Sequence, residues 1–98
     1  LFNLSNISKR YFGVEIGDVK IEVEPPKLKT LRRLEKLRTN SDSAIDEIVS
    51  VLSIILSKNK TGYKISEDFV EETFNTDEMK AMLEVYFNWV SEIEKSPN

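Results

Sequence analysis

From Phe12 to Val23 the chain alternates apolar and polar residues on both sides of Gly17-Asp18, and Pro25-Pro26 closes the run. Phe12, Val14 and Ile16 alternate with Gly13 and Glu15, and Val19, Ile21 and Val23 alternate with Lys20, Glu22 and Glu24. Period two on either side of a two-residue loop predicts a β-hairpin, assigned here to residues 9–24. The register follows from the loop: Ile16 pairs with Val19, Val14 with Ile21 and Phe12 with Val23. All six apolar side chains then share one face, and a one-residue slip would separate them. Gly17 in the first loop position suits a type II′ turn, and Glu15 faces Lys20 on the polar side. Proline cannot donate to the ladder, so Pro25-Pro26 ends the second strand. A two-stranded hairpin is marginal alone. Whatever follows must therefore supply a cover for its apolar face.

The remainder, 27–95, reads as about four helices. Leu28, Leu31, Leu34 and Leu37 form a slowly drifting stripe on a first helix, Lys27 to Arg38. Its other faces carry Lys27, Lys29, Arg32, Arg33, Lys36 and Arg38 against Glu35 alone. Thr39-Asn40-Ser41-Asp42 is expected to be a loop and Ser43 an N-cap, with Asp46 and Glu47 at the positive end of the helix dipole. The second helix, to about Ser57, carries Ile45, Ile48, Val49, Leu52, Ile55 and Leu56, widened by Val51 and Ile54. A helix apolar on most sides is central, and Asn59 is its expected stop. Ser66 caps a short helix, Glu67 to Phe74, expected to bury Phe69, Val70 and Phe74. Thr76 is the expected cap of a last helix running to about Lys95, with Pro97 beyond it. Met79, Met82, Leu83, Tyr86, Val90 and Ile93 line one face of that helix, and Val85 and Trp89 a second stripe. The fold class is α+β, one domain over 1–98: an N-terminal β-hairpin and a small helical bundle.

Composition removes several chemistries. The 98 residues contain no Cys and no His, which excludes imidazole or thiolate catalysis, Cys/His zinc and disulfides. A core this small is modest, and low net stability is expected. Three scattered Gly cannot form a phosphate loop. Glu71-Glu72 and Asp77-Glu78 read as solvated or dipole-complementing pairs rather than a metal site, since adjacent helical residues point about 100° apart. No Ser or Lys is marked out as a nucleophile. The expectation is a non-enzymatic chain without cofactor or metal. No apolar run approaches the roughly 18 residues of a membrane span. Residues 1–8 read as polar and frayed, with Phe2, Leu4 and Ile7 as candidate anchors. Asn3, Ser5, Asn6 and Ser8 argue against a signal peptide, and a start at Leu1 suggests that a few residues precede it.

Charge is polarised. Residues 1–40 carry a net +4 and residues 41–98 a net −7, giving −3 for the chain. Three readings stay open. The charged faces are solvated or pair within the domain. The basic first helix binds nucleic acid, against which stand a pI near 5.0 and the absence of a base-reading cluster on a recognition helix. Or basic and acidic ends meet head to tail between copies, which builds rings or open spirals. The candidate surfaces are Lys29, Arg32, Arg33 and Lys36 on the first helix, and Glu67, Asp68, Glu71 and Glu72 on the third. On the last helix, Val85, Phe87 and Trp89 are candidate anchors for a partner. The competing reading has that helix sandwiched in the core, with Met79 and Met82 as packing rather than as an adaptable groove.

The order of features resembles the tail assembly chaperones of long-tailed bacteriophages and prophages of Gram-positive bacteria. The resemblance rests on Tyr11-Phe12-Gly13-Val14-Glu15-Ile16 through Val23, then Pro26-Lys27-Leu28-Lys29-Thr30-Leu31-Arg32-Arg33-Leu34. It continues through the aliphatic helix ending Leu56-Ser57-Lys58-Asn59, through Ile65-Ser66-Glu67-Asp68-Phe69-Val70-Glu71-Glu72, and through Met79, Leu83, Tyr86 and Trp89. It covers residues 9–94 as a set of patterns. It implies a non-enzymatic protein of the host cytoplasm, absent from the mature virion. Such proteins coat the tape measure protein, help recruit tail tube protein subunits and self-associate into a ring or spiral. The resemblance carries no catalytic residues. The alternative from the residues is a small regulatory or adaptor domain that touches nucleic acid through the basic helix.

Overall fold

The computed structural model describes residues 10–39 and 44–95, the side chains of 93–95 apart. It is an antiparallel hairpin followed by four helices, an α+β architecture. β1 (Phe12–Ile16) pairs with β2 (Val19–Val23) in the register the alternation predicts, Phe12 opposite Val23, Val14 opposite Ile21 and Ile16 opposite Val19. Gly17 has φ +59 while Asp18 keeps a negative φ, the sign pattern of a type II′ turn. Glu15 lies opposite Lys20 without an ion pair. Cover over the hairpin fades toward the turn: Ile21 and Val23 are buried, Phe12, Val14 and Ile16 half-buried, and Val19 exposed.

The hairpin is tied to the helices by a segment 35 residues downstream of its second strand. Beyond helix α2 (Ile45–Ser57), Asn59 forms an antiparallel bridge with Val23. Glu24 N–H donates to Lys58 O at 2.8 Å and Lys60 N–H to Glu22 O at 2.9 Å. The same register sets Lys58 Nζ 3.0 Å from Glu24 and Lys60 Nζ 3.9 Å from Glu22. Asn59 does stop α2, and it does more. Its Nδ2 donates to Leu56 O and Tyr63 O, each at 2.8 Å, and its Oδ1 accepts from the N–H groups of Gly62 at 2.7 Å and Tyr63 at 2.9 Å. The amide is buried with its hydrogen-bonding groups occupied, and it folds the 60–63 turn around itself.

Helix α1 (Leu28–Thr39) buries Leu34 and half-buries Leu31 and Leu37. Leu28 is exposed, because a three-residue spacing drifts by about 60° per step and carries the first leucine off the packed face. α2 is the core helix, burying Ile48, Val49, Val51, Leu52, Ile55 and Leu56. Ile45 and Ile54 lie outside that arc and are exposed. Its N-cap is Ala44, with no side-chain cap bond; of the loop predicted over 39–42, Thr39 is instead the last residue of α1, and Asn40, Ser41, Asp42 and Ser43 lie outside the described residues, as do Phe2, Leu4, Ile7 and Pro97.

In α3 (Glu67–Thr73), Ser66 Oγ caps as predicted, accepting from Phe69 N–H at 3.1 Å. Val70 is fully buried, Phe74 half-buried, and Phe69 exposed rather than buried, because the short helix turns one narrow face to α2. The cap of α4 (Thr76–Lys95) is Asn75, not Thr76. Asn75 Oδ1 accepts from Glu78 N–H at 2.8 Å, and Glu78 Oε1 accepts from Asn75 N–H at 2.9 Å. This reciprocal box satisfies two otherwise orphaned donors. Met79, Leu83, Tyr86 and Val90 of α4 are buried against the rest, and Met82 is half-buried.

Tyr86 links α4 to β1 and to Glu24, the residue after β2. Its ring meets Phe12 edge-on at 5.4 Å, and its hydroxyl donates to Glu24 O at 3.3 Å. Burial raises the phenol above its ordinary pKa of 10.0, so the fold favours the neutral form. That stabilisation is complete below the unfolded value and fades as pH rises through the folded one. Unfolding stability should therefore fall above about pH 10. Tyr86→Phe should flatten that alkaline limb at a cost of about 1 kcal/mol at neutral pH, both read from urea titrations across pH. Asn59→Ala should destabilise by about 3 kcal/mol, because it orphans several backbone groups at once. The same titration at neutral pH measures it.

Candidate interaction surfaces

Helical spacing puts Lys29, Arg32, Arg33 and Lys36 along one side of α1, opposite buried Leu34. Lys29, Arg32 and Lys36 are exposed and make no salt bridge with any described residue. Arg33 is different. It sits on the flank next to α2, where Nε and Nη2 donate to Glu47 Oε1 at 3.2 and 2.8 Å and Nη2 also reaches Ser50 Oγ at 3.2 Å. Arg33 therefore joins α1 to α2, and the open basic surface is Lys29, Arg32 and Lys36.

On α3, Glu67, Asp68, Glu71 and Glu72 are all exposed, and none is in a salt bridge with a described residue. The segment leading into α3 is pinned to α2, where Ser53 and Ser57 hydroxyls donate to Ile65 O at 2.7 and 3.0 Å and Ile65 N–H returns a bond to Ser57 Oγ. α1 meets α2 through Glu47 and Ser50, while α3 is carried on the side of Ser53 and Ser57. No salt bridge joins the basic face of α1 to the acidic face of α3 among the described residues. No group of three or more acidic residues that could hold a metal ion occurs there either.

The three α4 candidates part company. Trp89 packs its ring 5.5 Å from Phe12 and 5.6 Å from Tyr86, so it belongs mainly to the aromatic seam over the hairpin. Phe87 lies on the opposite flank, roofed by the Arg38 guanidinium at 4.3 Å. Val85 is 55 % exposed, one turn before Trp89 on the same flank. Met79 is core. The α4 aromatics thus do not form a single patch, because residues two apart on a helix face away from each other.

The sequence reading missed the Arg33–Glu47 pair and the Glu22/Glu24 pairing with Lys60/Lys58. The second has a trace in sequence: Glu-Val-Glu at 22–24 and Lys-Asn-Lys at 58–60 are complementary at alternate positions. It missed the outer edge of β1 as well. Among the described residues, the outward backbone groups of Tyr11, Gly13 and Glu15 have no partner. No helix among the described residues is long and apolar enough to cross a membrane.

No family model, curated protein or solved structure matches this chain. Its surfaces therefore carry the functional argument. Arg33→Glu should destabilise by about 1 kcal/mol, because it sets two carboxylates together at a half-exposed site. Arg32→Glu should stay within about 0.5 kcal/mol of the parent, as thermal unfolding of the two variants would show.

Proposed function

We propose that this protein is a non-enzymatic tail assembly chaperone of a long-tailed phage or prophage. In that reading it holds the tape measure protein soluble and helps bring tail tube subunits to it in the host cytoplasm, without entering the mature virion. The observation that carries the reading is the pair of opposite charged faces. The basic face of α1 and the acidic face of α3 are built on a hairpin-plus-four-helix body and left without a salt bridge between them. Complementary faces set apart on one chain favour head-to-tail contacts between copies, the geometry of rings and spirals. An array of this kind would present exposed apolar residues such as Val85 and Phe69 to an amphipathic helix of the tape measure protein.

The stacking contact proposed here leaves out Arg33, which Glu47 and Ser50 already engage. The contact is assigned to Lys29, Arg32 and Lys36 against Glu67, Asp68, Glu71 and Glu72. Two measurements test the reading. Co-expression with the tape measure protein of the same genome should raise the soluble fraction of that protein and allow its co-purification. Arg32→Glu with Lys36→Glu should lower the average mass seen by light scattering. A tape measure protein that stays insoluble and unbound overturns the chaperone reading, and an unchanged mass overturns the stacking. A salt-dependent mobility shift with duplex DNA, lost in the double variant, would favour an adaptor domain that touches nucleic acid.

A further inference from the structure

Among the described residues the outer edge of β1 has no cover, and Phe12–Ile16 contains no proline or lysine. Exposed strand edges are ordinarily protected by proline, lysine, a bulge or a covering loop. β2 has such a cover in the Lys58–Lys60 segment. β1 has none among the described residues: Tyr11, Gly13 and Glu15 point their N–H and C=O groups outward and unpaired. Gly13 sits at the middle of this edge, and a Cβ there would meet nothing within 4 Å. We infer that β1 is a two-fold docking edge for a second copy of this chain, joining two hairpins into one four-stranded antiparallel sheet with Gly13 opposite Gly13 of the other copy.

The register follows from the residues on the edge. With Gly13 on the two-fold axis, the outward groups of Tyr11, Gly13 and Glu15 on one copy meet those of Glu15, Gly13 and Tyr11 on the other, so all of them are paired. Centring on Val14 would set Tyr11 against the Gly17 turn. Centring on Glu15 would oppose two carboxylates, which is destabilising. The Gly13 register also answers a charge. Glu15 makes no ion pair with a described residue, although Lys20 lies across from it. Across the new seam it would face Tyr11, and the Lys60 ammonium lies 5.4 Å from the centroid of that ring. Each copy thus brings Lys60, held only loosely by Glu22 at 3.9 Å, to the side of the seam where the other has Glu15 without an ion pair to a described residue, and the symmetry does this twice.

The apolar side agrees. Phe12 of one copy would stand opposite Val14 of the other, extending a face on which Val14 and Ile16 are only half-buried. Trp89 packs on Phe12, and exposed Val85 continues the same flank of α4. The hairpin midlines would be two strand spacings apart, about 9.6 Å, which lies within the roughly 8–10 Å at which helices pack side by side.

Gly13→Pro tests the seam on the full chain. It removes an N–H that the hairpin does not use, and edge strands tolerate proline there. With the stacking contact removed by Arg32→Glu and Lys36→Glu, sedimentation equilibrium should show a dimer, and a monomer once Gly13→Pro is added, with unchanged far-UV circular dichroism. In the parent, amide exchange at Tyr11, Gly13 and Glu15 should slow as protein concentration rises. Should the proline variant unfold, the charges serve instead: Glu15→Lys should weaken the dimer about tenfold, and Glu15→Gln should weaken it by less. Arg32→Glu with Lys36→Glu should leave this contact intact, which separates it from the stacking proposed above. A chain carrying Arg32→Glu and Lys36→Glu that stays monomeric at millimolar concentration, one with Gly13→Pro added that is folded and still dimerises, or edge amides protected independently of concentration would each overturn the inference.

Discussion

The rung between Glu22-Val23-Glu24 and Lys58-Asn59-Lys60 makes one body out of a hairpin and a set of helices. Two strands alone bury too little to persist. The rung gives β2 a backbone partner on its free side and brings the end of the core helix against it. Asn59 fixes the geometry of the join. A buried amide is costly unless all of its groups are used, and here the 60–63 turn and the last turn of α2 use them. With the rung in place Glu24 O lies where the Tyr86 hydroxyl can reach it, and α4 closes over the hairpin. The join of β2 to the core helix and the reach of Tyr86 to Glu24 therefore depend on one side chain in a loop.

Local patterns in the sequence were legible where a short-range rule leaves one answer. The hairpin register is such a case, because period two across a two-residue loop permits a single pairing with all apolar side chains on one face. The Ser66 cap is another. The Asn75 cap was also readable, since Glu78 lies three residues on, but Thr76 is an equally good capping type and competes for the role. Contacts set by tertiary placement were not readable. Lys58 and Glu24 are 34 residues apart, and nothing local says that the end of α2 returns to β2. Phe69 and Leu28 show the opposite error: both are apolar at helical spacing, yet short or drifting stripes cannot bring every such residue to the core.

The candidate surfaces follow the same division. Their membership was visible from charge and spacing; their availability was not. The fold uses its salt bridges to join elements, Arg33 to Glu47 between α1 and α2, Lys58 to Glu24 and Lys60 to Glu22 between the rung and β2. Two of the sets that take no part in those bridges lie on separate elements: Lys29, Arg32 and Lys36 on α1, and Glu67, Asp68, Glu71 and Glu72 on α3. Exposed pairs of this kind add little to stability, so the segregation has its main consequence between molecules, where complementary potentials govern orientation and rate of encounter.

The two proposed self-contacts differ in symmetry, and that difference constrains what they build together. An edge that pairs with itself is isologous and is used up in a dimer, whereas a basic face that meets an acidic face is heterologous and repeats. The edge lies on β1 and the charged faces lie on α1 and α3, so no residue is asked to serve both. A dimer joined at the sheet carries two copies of each charged face, related by the two-fold axis and pointing in opposed directions. It can therefore grow on both sides, and its axis forbids a polar, single-file stack. The repeating unit of such an assembly is the four-stranded dimer. Salt should dissolve the assembly to dimers before it reaches the seam, because backbone hydrogen bonds and the Phe12–Val14 contact are screened far less than exposed charge.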